Sequence, residues 1–192
     1  MPDARQTTRP PAGPGAPVWA VMSARRRAHV ERVAVLTRHW AEAMELPVHE
    51  AGRWLRAVWL HDALRDQTPD ALAGLVPGAP EPSGLLHGPA SAARAEAEGE
   101  RDQGVLLAVR FHSLGHPEWD MVGKTLYCAD YLEPGRKFDR EERAELAGRY
   151  PSAPDEVLLE VARRRLRNLV DKGWMVPEST WRFWNGLAAS RG

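Results

Sequence analysis

The most constraining stretch of this sequence is Trp54-Leu-Arg-Ala-Val-Trp-Leu-His61-Asp62, an apolar run that ends in an adjacent imidazole and carboxylate. Burying such a pair is costly unless something partners it, and a metal ion is an efficient partner. A chain that places His61 and Asp62 at the end of a hydrophobic segment therefore needs further polar groups around them. Histidines and aspartates on the inward faces of other segments are the place to look.

Neither Pro nor Gly interrupts Val18 to Leu46, and His29, Val33, Leu36 and Trp40 recur at helical spacing. This predicts one long amphipathic helix with His29 facing inward. Pro47 ends it, and a second helix from about His49 to Leu64 is expected to bury Trp54, Val58 and Leu60 and to deliver His61 and Asp62 near its C-terminal end. Residues 66–84 hold four prolines and three glycines, which predicts a loop with at most a short helix around Asp70 to Leu75. Pro89 suits the first turn of an alanine-rich helix running to about Glu98, with His87 at its mouth.

Asp102 is the expected N-cap of the next helix, in which Val105, Ala108, Val109 and His112 follow the i, i+3, i+4, i+7 pattern of a buried face. A helix from about Glu118 to Leu132 puts Gly123, Leu126, Tyr127 and Asp130 on one side. A short helix near Arg140 to Ala147 follows, then Pro154 to Lys172 with Leu158, Val161, Ala162, Leu166 and Leu169 as its apolar side. The last segment, from Pro177, carries Trp181, Phe183, Trp184 and Leu187. With no alternating strand pattern and no internal repeat, the predicted fold is all-α, one domain over residues 18–192. Residues 1–17, with five prolines and two glycines, are expected to form a disordered leader.

Composition excludes several classes of function. A chain of 192 residues has room for one sizeable core. Its 26 basic and 26 acidic residues cancel, so no global field favours nucleic acid or an anionic membrane. The single cysteine, Cys128, excludes an intramolecular disulfide and a thiolate metal cluster, and reads as core packing. Any metal must be held by histidine and carboxylate. No stretch has the apolar length of a membrane helix and the start lacks a secretory pattern, so a cytoplasmic location is expected.

Five separate segments each send a candidate ligand inward: His29, His61 with Asp62, His87, His112 and Asp130. A lone inward histidine is more often a satisfied core residue. Four of them with two aspartates would each need a separate buried hydrogen-bond partner, whereas one or two metal ions satisfy the whole set. Ligation free of thiolate suits iron, manganese, cobalt or zinc.

The ordered series His29, His61-Asp62, Asp130 resembles the metal signature of the HD-domain superfamily of metal-dependent phosphohydrolases, an all-helical bundle. Leu85-Leu-His87-Gly, Val109-Arg-Phe-His112, Lys124-Thr-Leu-Tyr-Cys-Ala-Asp130-Tyr-Leu-Glu133-Pro-Gly-Arg136 and the late Pro177 to Asn185 segment are similar to the YqeK-type subgroup, whose members are symmetrical diadenosine tetraphosphate hydrolases. The similarity runs from about Ser23 to Leu187, and Ala129 to Arg136 is its most specific part. It implies a two-metal centre, divalent or mixed-valence, with iron as the first expectation. One ion would be held by His29, His61, Asp62 and Asp130, and the other by His87 and His112 with Asp62 bridging. A water activated there would attack an inner phosphorus and release two ADP.

By the same resemblance Arg136 and Lys124 are candidate phosphate contacts, and Arg65 stands where the superfamily often has lysine. His116 departs from the subgroup's threonine, glycine and arginine arrangement, which alters any phosphate contact at that position. Trp184 stands before Asn185 where a basic residue is usual. His39 and His49 match nothing and are expected to be exposed. The run Arg163 to Arg167 reads as a solvated helix face. Trp174, Trp181 and Trp184 are candidates for a homodimer patch or a cover over an adenine ring. The alternatives are a phosphohydrolase of a mononucleotide or cyclic dinucleotide, a non-catalytic nucleotide-binding domain, and a di-iron redox protein.

Overall fold

A computed structural model describes residues 15–79 and 82–190; residues 1–14, most of the expected leader, lie outside the described residues. Among the described residues there is no strand. The helices are α1 (Ala24–Ala43), α2 (Val48–His61), α3 (Pro69–Leu75), α4 (His87–Ala97), α5 (Gln103–Phe111), α6 (Met121–Leu132), α7 (Arg140–Arg149), α8 (Pro154–Asp171) and α9 (Glu178–Ala189), with a 3-10 turn at Ser83–Leu85. The all-α expectation holds. No described helix is long and apolar enough to cross a membrane.

Several helix ends differ from the sequence reading, and caps or pairings account for three of them. The first helix begins at Ala24 rather than Val18, because the Ser23 hydroxyl accepts from the Arg26 N–H and caps it. The preceding residues pair instead with the chain after α2: Ser23 N–H donates to Asp66 Oδ2 (2.7 Å) and Val21 N–H to the Ala63 carbonyl (2.7 Å). The second helix stops at His61 rather than Leu64, with Asp62 as its C-cap. The helix carrying Asp130 starts at Met121 rather than Glu118, where the Asp120 carboxylate caps the Val122 N–H. Asp102 caps α5 as expected, accepting from the Val105 N–H.

The core forms where the apolar stripes of α1, α2, α5, α6 and α8 meet. Trp40 of α1 is fully buried, stacks on Tyr150 at 3.9 Å, and donates its indole N–H to the Ala147 carbonyl at 2.8 Å. Tyr150 in turn shares a hydrogen bond with Thr125 of α6. These contacts lock α1, α6 and the end of α7 together, fixing the helices that carry His29 and Asp130. A second, smaller cluster of Leu64, Leu72, Leu86 and Ala90 seats α3 and α4 beside the end of α2. At the other end Phe183 of α9 packs on Trp119 and Tyr127. Gly115, at a φ of 89°, leaves the space that the Phe183 ring occupies.

α4 and α5 approach closely because Gly88 has no side chain. A Cβ there would lie 2.7 Å from the Arg110 carbonyl, 3.0 Å from that of Val109 and 3.3 Å from His112 Cε1. Gly88→Ala should therefore force the helices apart at a cost of about 1–3 kcal/mol. At about 2–4 °C per kcal/mol for a chain of this size, thermal unfolding of the metal-free protein reads the effect.

Candidate metal centre

The ends of four helices and the face of a fifth converge on one buried point. His61 is the last residue of α2 and Asp62 its C-cap, His87 opens α4, His112 is the C-cap of α5, and Asp130 lies one turn from the end of α6 opposite His29 of α1. All six side chains are buried. They form two groups, His29 with His61 and Asp130, and Asp62 with His87 and His112, each with its ligand atoms within 4.8 Å of one another.

The carboxylate of Asp62 lies between the histidine pairs. Its Oδ2 is 3.7 Å from His29 Nε2 and 3.5 Å from His61 Nε2. Its Oδ1 is 3.4 Å from His87 Nε2 and 3.7 Å from His112 Nε2. Asp130 Oδ1 is 3.1 Å from His29 Nε2.

Hydrogen bonds at Nδ1 orient three of the four imidazoles, those of His29, His61 and His112, with Nε2 toward this centre. His61 Nδ1 donates to the Val58 carbonyl at 2.7 Å and His112 Nδ1 to the Val109 carbonyl at 2.8 Å. Each bond to a carbonyl fixes the proton on Nδ1 and leaves Nε2 as an acceptor. His29 Nδ1 is held by Glu133 Oε1 at 3.1 Å. The Nε2 atoms of His29 and His61 are buried without a hydrogen-bond partner, although carboxylate oxygens lie nearby. An acceptor facing an anion is unfavourable, and a cation between them resolves it, a proton at His29 or a metal ion shared by the set. The donor set of imidazole nitrogen and carboxylate oxygen thus fits a first-row divalent metal.

The electrostatics favour the ligand forms. Burial alone would raise the Asp62 carboxyl, but His61, His112 and Arg26 outweigh it and hold the group at about 2. Asp130 is likewise held well below the usual range, because His29, Arg136 and Arg165 override its burial. Burial lowers His87 to about 3 and His112 to about 4, helped by the neighbouring histidines, so both stay neutral. His29 moves the other way: burial lowers it, but Asp130 and Glu133 raise it further.

In metal-free protein these shifts set the acid sensitivity. A histidine whose folded pKa lies below 6.5 stabilises the fold above that pH, and the stability is lost as the pH falls toward the folded value. His87 and His112, whose rings touch, titrate as a pair, and both shifts act in this direction below pH 6.5. The opposing contribution of His29 comes from one residue. Denaturant midpoints of metal-free protein should fall from pH 6.5 to pH 4.5.

The phosphate candidates divide. Arg65, His116 and Arg136 line an open cavity of about 1960 Å³ that reaches the centre at Asp130. Arg136 Nη2 bonds Asp130 Oδ1 at 2.6 Å. The His116 ring stacks on Phe111, and burial lowers its pKa, so it offers a hydrogen bond rather than a charge. Lys124 is not among the lining residues. Six positions before Asp130 it lies about 9 Å back along the helix and about 120° around it. Trp174 lines the cavity, Trp181 is exposed and Trp184 is half-buried. His39 and His49 are exposed.

Sequence reasoning missed four side chains at this centre. Arg26 donates to Asp62 Oδ2 at 2.6 Å, and the Ser113 hydroxyl lies 3.1 Å from His112 Nε2. Glu133, fully buried, joins His29 to Arg32. Arg165, read as part of a solvated face, turns inward onto Asp130 Oδ2 at 2.9 Å; its neighbours Arg163 and Arg164 do pair outward with Glu160. The signal for Arg165 was its register: it stands seven, four and three residues after Leu158, Val161 and Ala162, on their apolar stripe.

Comparison with known proteins bears on this centre. Residues 26–161 match the family model of the HD domain. The symmetrical bis(5'-nucleosyl)-tetraphosphatase of Staphylococcus aureus is 31% identical over 99 residues, which is 51% of this chain and 51% of that protein. Those of Halalkalibacterium halodurans and Bacillus subtilis are 42% and 40% identical over 60 and 55 residues, covering 31% and 28% of this chain and 32% and 30% of those proteins. The matched stretches thus span about half or less of these curated relatives. A crystal structure from Clostridium acetobutylicum, described as a predicted HD superfamily hydrolase involved in NAD metabolism, superposes with a TM-score of 0.76 at 26% identity over 89% of this chain and 92% of that one.

Proposed function

The chain belongs to the HD domain family, and on that premise we propose that it is a metal-dependent hydrolase that splits diadenosine tetraphosphate symmetrically into two ADP. The observation that carries this reading is Asp62, whose two oxygens face two different histidine pairs. A carboxylate so placed can serve two cations at once. His29, His61, Asp62 and Asp130 would hold one ion, and Asp62, His87 and His112 the other; iron is the first expectation, with manganese, cobalt or zinc as alternatives. When bound, such ions make hydroxide available near neutral pH and neutralise phosphate oxygens.

The chain's own residues do the binding and positioning. Arg65 and Arg136 stand at the cavity wall, where a guanidinium suits phosphate oxygens; Arg136 has for this only the N–H groups not already bonded to Asp130, and His116 adds a neutral hydrogen-bonding group. Lys124, half-buried on α6 and not among the cavity's lining residues, is the more distant candidate. The relatives' names support a dinucleoside tetraphosphate, and the open cavity of about 1960 Å³ beside Asp130 leaves room for a ligand of that length. Residues 18–192 would act as one unit in the cytoplasm on a soluble nucleotide, with neither nucleic acid nor membrane as partner.

The test is to quantify the metals on purified protein, incubate it with diadenosine tetraphosphate and separate the products by chromatography. ADP as the sole product, absent with His112→Ala, supports the reading. ATP with AMP, or no ADP from protein holding two metals, overturns the symmetrical tetraphosphatase and directs the search to other phosphate esters.

A further inference from the structure

Two arginines grip Asp130, and they differ in kind. Arg136, on the loop after α6, reaches Oδ1, the oxygen nearest His29 Nε2, and its side chain is 40% exposed. Arg165, on α8, reaches the other oxygen, Oδ2, at 2.9 Å and is 17% exposed. Arg165 is also anchored twice more: Nη2 donates to the Tyr127 carbonyl at 3.1 Å, and the guanidinium lies 4.2 Å from the centre of the Tyr127 ring. It lies beyond residue 161, where the match to the family model ends.

We propose that Arg165 is a positioning residue for Asp130, holding Oδ2 from the α8 side so that Oδ1 stays turned toward His29 and the ion site there. This rests on reading His29, His61, Asp62 and Asp130 as metal ligands. The terminal torsion of an aspartate is broad and two-fold, so its carboxylate needs outside bonds to hold one orientation. Without Arg165 the remaining guanidinium is Arg136, whose Nε and Nη2 already both bond the Asp130 carbonyl. A guanidinium fork can take both carboxylate oxygens. Arg136 would then draw Oδ1 away from His29. Arg165 cannot do this, because the Tyr127 carbonyl and ring fix where its guanidinium lies. It has no hydrogen bond or ion pair with Asp62, His87 or His112, so its influence falls on one ion site of the two.

The test is a manganese titration of metal-free protein, with free ion followed by electron paramagnetic resonance and thermal unfolding recorded alongside. Wild type should bind two ions. Arg165→Met should weaken one of them by about 10–100-fold, the usual effect of losing a residue that supports a ligand, and leave the other unchanged. Arg165→Lys, which restores the charge, should recover part of the loss. A purely structural role would lower the unfolding temperature and leave both affinities alone, or weaken both equally; either result overturns the assignment. If Arg165→Met does not fold, Arg165→Lys carries the test: a smaller weakening of one ion supports the proposal, and two unchanged affinities overturn it. Wild type that binds fewer than two ions is a different failure, of the six-ligand reading itself.

Discussion

Asp62→Asn is expected to lower turnover about a thousandfold or more, equivalent to about 4 kcal/mol of barrier, while the metal-free protein stays folded. The substitution keeps the shape of the side chain and removes the charge that both histidine pairs face. One oxygen becomes an amide nitrogen, and it can donate to the His61 Nε2 that has no hydrogen-bond partner in the native chain. That new bond offsets part of the lost pairing with Arg26, which is partly exposed and can turn to solvent. Because the Asp62 carboxyl is held at about 2, its charge stabilises the metal-free fold near neutral pH, so the unfolding temperature without metal should fall modestly. The increase that added metal gives the wild type, which follows mass action on the folded state, should largely vanish. Turnover at the wild-type rate would remove Asp62 from the centre, and with it the proposal of a carboxylate that serves two ions.

The sequence makes some of this architecture legible and hides the rest for a consistent reason. Helical periodicity places His29 beside Val33 and Trp40, and His112 beside Val105, Ala108 and Val109, because burial of a face is written into spacing along one element. What depends on a partner far along the chain is not written there. The first helix starts late because Ser23 and Val21 pair with Asp66 and Ala63, about forty residues on. Lys124 shares a helix with Asp130, but six positions put it about 120° around the axis, so a shared helix does not by itself make two residues neighbours. Arg165 sits in a run of arginines whose average is a solvated face, and only its own register marks it as inward-facing. Glu133 is the C-cap of α6 as Asp62 is of α2. A carboxylate just past the end of a buried helix is thus a pattern that occurs twice here, and it was read once.

Glu133→Ala should be the most damaging substitution for stability near the centre. The side chain is 1% exposed and receives the Arg32 Nε–H at 2.6 Å, the Gly135 N–H at 2.7 Å and His29 Nδ1 at 3.1 Å. Truncation leaves these donors without their acceptor, and breaking a buried charged network in this way costs about 3–5 kcal/mol. For a chain of this size that is a fall of about 10 °C in unfolding temperature. Glu133→Gln keeps one acceptor oxygen but sets an amide against Arg32, so an intermediate loss is expected. The pH dependence separates this from simple loss of packing. Burial would raise the Glu133 carboxyl, but bonds from His29, Arg32 and Gly135 outweigh it and hold it at about 2, against an ordinary 4.5. A carboxylate lowered in the folded state contributes stability above its unfolded pKa and loses it as the pH falls toward the folded value. In metal-free protein the gap between wild type and Glu133→Ala should be full at pH 6 and narrow steadily below 4.5. Loss of the His29 support should also weaken the adjoining ion by about 10–100-fold. A gap that stays constant down to pH 3 would mean that Glu133 acts by filling space, and that the orientation of His29 has another source.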